Sequence, residues 1–182
     1  ANMGGSEREE LIFATDAGNI FIVASDGTLV RQMQTQNGDA PIGGPVVVDW
    51  YANGLQTVMI AAGKKVYAWD NQGILLPRFP IEMEEDIVQP LQVLDLDLNS
   101  SLDILVATND RNLHVLDAKG DPLRGWPVRL NASATAQAKV ENWDGRRGVF
   151  VAARNVIHAI NINGSNRAGF PIFLSSDIST PV

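Results

Sequence analysis

The stretch "LHVLDAKGDPLRGWPV", residues 113–128, holds a strand, a turn and an interrupted edge in one run. Its opening alternates with a period of two, which sends successive side chains to opposite faces of a β-strand. The polar segment around Gly120 then supplies hairpin-turn chemistry. Trp126 is followed by Pro127, and proline cannot donate to a sheet ladder, so this segment belongs on an outer strand or just beyond one.

The same unit recurs along the chain. The turn glycines Gly27, Gly73, Gly120 and Gly164 are 46, 47 and 44 residues apart. Each follows an alternating stretch: "NIFIVAS", "KVYAWDN", "NLHVLDA" or "VIHAINI". Ahead of these lies a second strand, "LIFAT", "VMIAA", "ILVAT" or "VFVAA", with a small residue at Ala14, Ala61, Ala107 and Ala152 that lets neighbouring sheets approach. Behind the glycines come "LPRFPI", "LRGWPV" and "RAGFPI", whose aromatics Phe79, Trp126 and Phe170 are expected to pack between units. A further strand opens each full unit, in "GPVVVD", "PLQVLD" and "QAKVEN".

Four short strands per repeat, with no amphipathic helix, predict an all-β chain: a β-propeller of four-stranded antiparallel blades. The units fall at about 10–38, 39–85, 86–132 and 133–178, and residues 1–9 read as a tag or disordered N-terminus. The first unit begins at its second strand, while residues 179–182, "STPV", match the start of a first strand. Pairing of those ends would complete the first blade and close four blades from one chain. An open segment of a larger propeller, or a homodimer forming a larger ring, satisfies the same pattern.

Composition bounds the function. The chain has 182 residues, 45% of them apolar, enough for a sizeable core. Fourteen basic against twenty-one acidic residues leave a net charge of −7, which repels nucleic acid. Without cysteine there are no disulfides and no thiol catalysis. No apolar run approaches the roughly 20 residues that span a bilayer, so direct membrane insertion by a helix is not expected.

The succession of first strand, Asp-rich loop, "ILVAT" strand and "LHVLDAKGDPLRGWPV" hairpin resembles the FG-GAP or VCBS-type propeller repeats of integrin heads and of many bacterial surface and secreted proteins. A weaker likeness, through "AWDNQG", is to quinoprotein-type propellers. The first resemblance implies an extracellular, cell-surface or periplasmic location and a loop that binds calcium. That family loop runs Asp-x-Asp-x-Asp-Gly-x-x-Asp, and its positions one, three, five and nine correspond here to Asp95, Asp97, Asn99 and Asp103. All four are oxygen donors, as a hard cation requires. Position six, glycine in the family, is Ser100. An Asx-type turn, in which the carboxylates bond backbone amides, accounts for the same residues.

The sister loops serve as controls. "DWYANGLQT" has Tyr51 and Thr57 where the third and ninth ligands would stand, and reads as a turn without metal. "ENWDGRRGV" is one residue shorter and carries Arg146 and Arg147, which would repel a cation. The two histidines, His114 and His158, occupy the repeat position of Phe21 and Tyr67, six residues before the turn glycine, and so fill a structural slot. Asp110 and Asp117 match turn and strand-end positions, and the acidic run at 82–86 reads as a solvated loop between units. Trp50, Tyr51 and Trp143 lie in equivalent inter-strand loops, where exposed aromatics would suit a partner surface.

These readings favour a noncatalytic protein- or glycan-binding or adhesion module of a larger secreted or cell-surface protein, with a calcium site at residues 95–103 and a metal-free turn there both left open. The alternative is the propeller domain of an enzyme, a polysaccharide lyase or quinoprotein-like oxidoreductase, whose catalytic residues lie outside this segment.

Overall fold

The structure, a computed structural model, describes residues 9–178. Among them are fifteen β-strands, no α-helix and one 3-10 turn at Gln36–Gly38. The strands form four antiparallel sheets, and within each sheet only consecutive strands pair. The chain divides into two compact units, with the boundary after Pro90.

The first unit holds two sheets. One comprises β1 (Glu10–Ala14), β2 (Asn19–Ala24) and β3 (Leu29–Gln34); the other β4 (Pro41–Val48), β5 (Thr57–Ala62), β6 (Lys65–Trp69) and β7 (Ile81–Glu82). The fourth strand expected for the first sheet, from residues 179–182, lies outside the described residues. Alternation along β2 buries Ile20 and Ile22, which pack with Met33 against Val58, Ile60, Ala62, Tyr67 and Trp69 of the second sheet. Each fully buried side chain of this size contributes roughly 1.5–3 kcal/mol.

The second unit repeats the plan. It contains β8 (Gln92–Leu94), β9 (Asp103–Ala107), β10 (Asn112–Leu116) and β11 (Val128–Arg129), then β12 (Lys139–Trp143), β13 (Arg146–Ala153), β14 (Val156–Asn161) and β15 (Ile172–Phe173). Strands β5 and β9 are buried on both faces, which explains why they read as unbroken apolar runs and not as alternations.

The acidic residues at strand ends cap the glycine turns. Asp70 Oδ1 accepts from the Gln72 and Ile74 amides at 2.8 Å, and Asp117 Oδ1 accepts from Lys119 and Asp121 at 2.8 and 2.9 Å. The strands β7, β11 and β15 are two residues long and each follows a cis X-Pro bond. The aromatics before those prolines divide in role. Trp126 bonds the following sheet, its Nε1 donating to the Ile162 carbonyl at 2.8 Å. Phe79 instead meets Trp50, and Phe170 meets Trp143 and Phe150, all rings of their own sheets. Beside Trp126 the third and fourth sheets touch backbone to backbone: a Cβ on Gly125 would lie 2.0 Å from the Asn163 carbonyl oxygen, and one on Gly164 would lie 2.0 Å from that of Gly125.

Candidate metal site

The Asp-rich stretch is the loop between β8 and β9. Asp103 opens β9, and because that strand is buried on both faces the residue is only 1% exposed. Its Oδ2 accepts from the Leu96 amide at 2.9 Å, while Oδ1 is buried without a hydrogen-bond partner. Asp95 accepts from the Asn99 and Ser100 amides at 3.0 and 2.9 Å, and Asp97 accepts from the Asn99 amide at 3.2 Å. One carboxylate oxygen from each of Asp95, Asp97 and Asp103 lies within 4.8 Å of the others. Burial pushes the Asp103 carboxyl from 3.8 up to about 6, and the charges of Asp97 and Asp95 add to the rise.

Asn99 is tied into the loop by both ends of its side-chain amide. Oδ1 accepts from the Ser101 amide at 2.7 Å, and Nδ2 donates to Asp97 at 3.1 Å. Ser100 takes the left-handed conformation that its place in the loop demands, with φ of 70°, and Leu98 does likewise at 63°. Each costs a non-glycine residue about 1–2 kcal/mol.

The equivalent loop between β4 and β5 isolates what is particular to the third sheet. There Asp49 accepts from the Asn53 and Gly54 amides at 2.9 and 2.7 Å, and Asn53 Oδ1 accepts from Leu55 at 2.9 Å. The turn is thus the same Asx arrangement, made without neighbouring carboxylates. What the third sheet adds is Asp97 and Asp103. In the fourth sheet the connection contracts to Asp144 and Gly145, whose φ values of 50° and 71° form a tight hairpin closed by the Trp143 and Arg146 pair. Arg147 from that hairpin reaches the acidic loop and donates to the Asp95 backbone carbonyl.

Three converging carboxylates, one of them buried with an unbonded oxygen, are a donor set that fits a hard divalent cation. The negative charges of Asp97 and Asp95 bear on the Asp103 carboxyl, and a counter-charge would relieve it.

Of the aromatics expected on the surface, Trp50 is a correction: it is 5% exposed because its ring turns in against Phe79, edge-on at 6.1 Å. Tyr51 and Trp143 are 56% and 46% exposed. Both histidines lie in strands. His158 is buried, accepts from the Asn131 amide at 3.4 Å, and is held below the usual imidazole range by desolvation. His114 Nε2 lies 3.1 Å from Thr108 Oγ1, but that hydroxyl donates to Asp110 at 2.6 Å, so the three groups brace a turn. A feature that repeat reasoning missed is Arg167. Its Nη2 donates to the carbonyls of Trp143 and Arg146 at 2.9 and 3.3 Å, and its guanidinium lies over the Trp143 ring at 5.6 Å.

No protein-family model matches the sequence, and no curated protein does. Solved structures do match. One is BBS1N in complex with ARL6DN, at 15% identity over 97% of this chain and 53% of that one, with a TM-score of 0.72. Another is the WD40 β-propeller domain of Doa1, at 17% identity over 94% and 53%, with a TM-score of 0.63. BamB from Moraxella catarrhalis matches at 18% identity over 91% and 45%, with a TM-score of 0.59. The fold is that of a β-propeller, and the four sheets are its blades. The chain spans about half the length of these structures.

Proposed function

We propose that the chain is a noncatalytic binding module of the FG-GAP or VCBS type, built for a protein ligand, with one calcium site in its third blade. The observation that carries this reading is the convergence of one carboxylate oxygen each from Asp95, Asp97 and Asp103 within 4.8 Å, in a loop where Asp103 is buried with one oxygen unbonded. These three residues would hold the ion, and when bound it supplies the positive charge that the loop lacks. The chain's own part is to set the loop's shape, through the Asx bonds of Asp95 and the Arg147 bond to its carbonyl. The complex of BBS1N with ARL6DN is one case in which a structure with this fold is bound to a protein.

Two ligands of the trio are not fully buried and Ser100 sits in a strained backbone conformation, so the site is a weak one. Sites of that kind load at the calcium levels met outside cells, which supports an extracellular or cell-surface setting. The test is thermal melting during a calcium titration. The midpoint should rise, by about 2.7 kcal/mol in stability at a hundredfold excess over Kd, and a chelator should reverse it. Asp97→Ala should remove the rise while leaving the ion-free melt nearly unchanged. A flat titration at millimolar calcium overturns the metal reading, and turnover of a polysaccharide by the isolated chain overturns the noncatalytic one.

A further inference from the structure

The fourth blade carries a second concentration of charge, opposite in sign to the acidic loop. At the Asp144–Gly145 end of the blade two cavities of about 600 and 530 Å³ adjoin, sharing Arg146 and Asn161 in their walls. Trp143, Arg167 and Phe170 line the first; Arg147, Asn163 and Leu98, the last from the acidic loop, line the second. Both volumes fall within the range of ordinary ligand sites.

The arginines here do not face carboxylates. The Arg146 side chain is exposed and has no hydrogen-bond or ion-pair partner among the described residues. Arg147 donates to the Asp95 backbone carbonyl, and Arg167 to the carbonyls of Trp143 and Arg146. Bonds to carbonyls orient a guanidinium but leave its charge uncompensated. Asp144 is the carboxylate in the first cavity's wall, so three cations meet one anion along the two cavities, in a chain whose net charge is −7. Arg167 is also set in place by its surroundings. It passes beside Gly148, where a Cβ would come 3.6 Å from Nη1 and 3.1 Å from the Ile160 carbonyl oxygen.

We infer that these cavities dock an acidic segment of a partner protein, with a carboxylate taken by Arg146, Arg167 adding its positive charge to the wall, and apolar side chains laid against Trp143 and Phe170. The proposal rests on the protein-ligand reading above and names the chemistry of that ligand. Guanidinium forks match carboxylates with two parallel hydrogen bonds, and a desolvating aromatic neighbour strengthens them. A peptide fits better than an acidic sugar. The Trp143 ring is already engaged by Phe150, stacked at 5.6 Å, and by the Arg167 guanidinium, which leaves less of the indole for a sugar ring to stack on.

Fluorescence anisotropy with a labelled peptide alternating glutamate and leucine tests this on the whole chain, with the glutamine version of the peptide and an oligogalacturonate as comparators. The glutamate peptide should bind in a salt-sensitive way, the glutamine peptide should not, and Arg146→Gln should weaken binding about tenfold. Arg146 is exposed, so the variant should melt with the parent protein, which separates lost binding from lost folding. Absence of peptide binding, equal binding by Arg146→Gln, or preference for the oligogalacturonate would each overturn the proposal. Calcium-dependent melting does not involve Arg146. A chain that keeps that response and ignores the peptide therefore loses this docking site while the reading above stands.

Discussion

Asp103 is ionised at neutral pH inside a strand that excludes water on both faces. Its folded pKa, raised from 3.8 to about 6, means that the folded chain holds a proton through a window in which the unfolded chain has released it. Stability from that proton is fully present below 3.8 and is lost as pH rises through about 6, a change of about 3 kcal/mol. In chelator at pH 7, Asp103→Asn should therefore raise the melting midpoint, flatten its dependence on pH between the two values, and abolish the calcium response; a lower midpoint in denaturation experiments would contradict this. His158 acts in the opposite direction. Burial lowers its pKa, so its contribution to stability falls as pH drops below 6.5, and comparison of variant with parent removes it. The acidic trio was legible in the sequence because alternate residues of a tight loop converge. Trp50 was not, because inward or outward orientation within a loop depends on which ring is waiting, here Phe79. Arg167 escaped for a related reason: its place in "RAGFPI" is filled differently in "LPRFPI" and "LRGWPV", so aligning repeats hides it.

At the scale of elements, the third and fourth blades are joined where glycines remove side chains. Gly125→Ala would drive a Cβ to 2.0 Å of the Asn163 carbonyl oxygen at a φ of 91°, and should destabilise by several kcal/mol. Trp126→Phe keeps most of the ring but strips the Ile162 carbonyl of its donor, and should cost about 1 kcal/mol. Urea denaturation of the two variants checks both the size and the order. The strands themselves were readable from glycine spacing and period-two alternation, since both follow directly from hairpin geometry. The β12–β13 connection was read as a shortened loop. The structure extends both strands across it and leaves a two-residue turn, the outcome that an Asp-Gly pair favours and that alignment with longer sister loops obscured.

For the whole molecule, the repeat pattern carried the fold class, because like units that bury little alone are recognisable by their spacing. It did not carry the family, since blades of many families share the spacing. On β1, Leu11 is 69% exposed and Phe13 46% exposed, with Phe13 stacked on Phe21 at 5.5 Å. An apolar face that no described residue covers predicts association between copies, and Leu11→Ser with Phe13→Ser should reduce it in sedimentation velocity; unchanged association would place the contact elsewhere. The meander order of every sheet has a further consequence, for synthesis. Among the described residues no strand waits for a partner from a distant part of the chain, so each sheet's described strands can pair as they leave the ribosome.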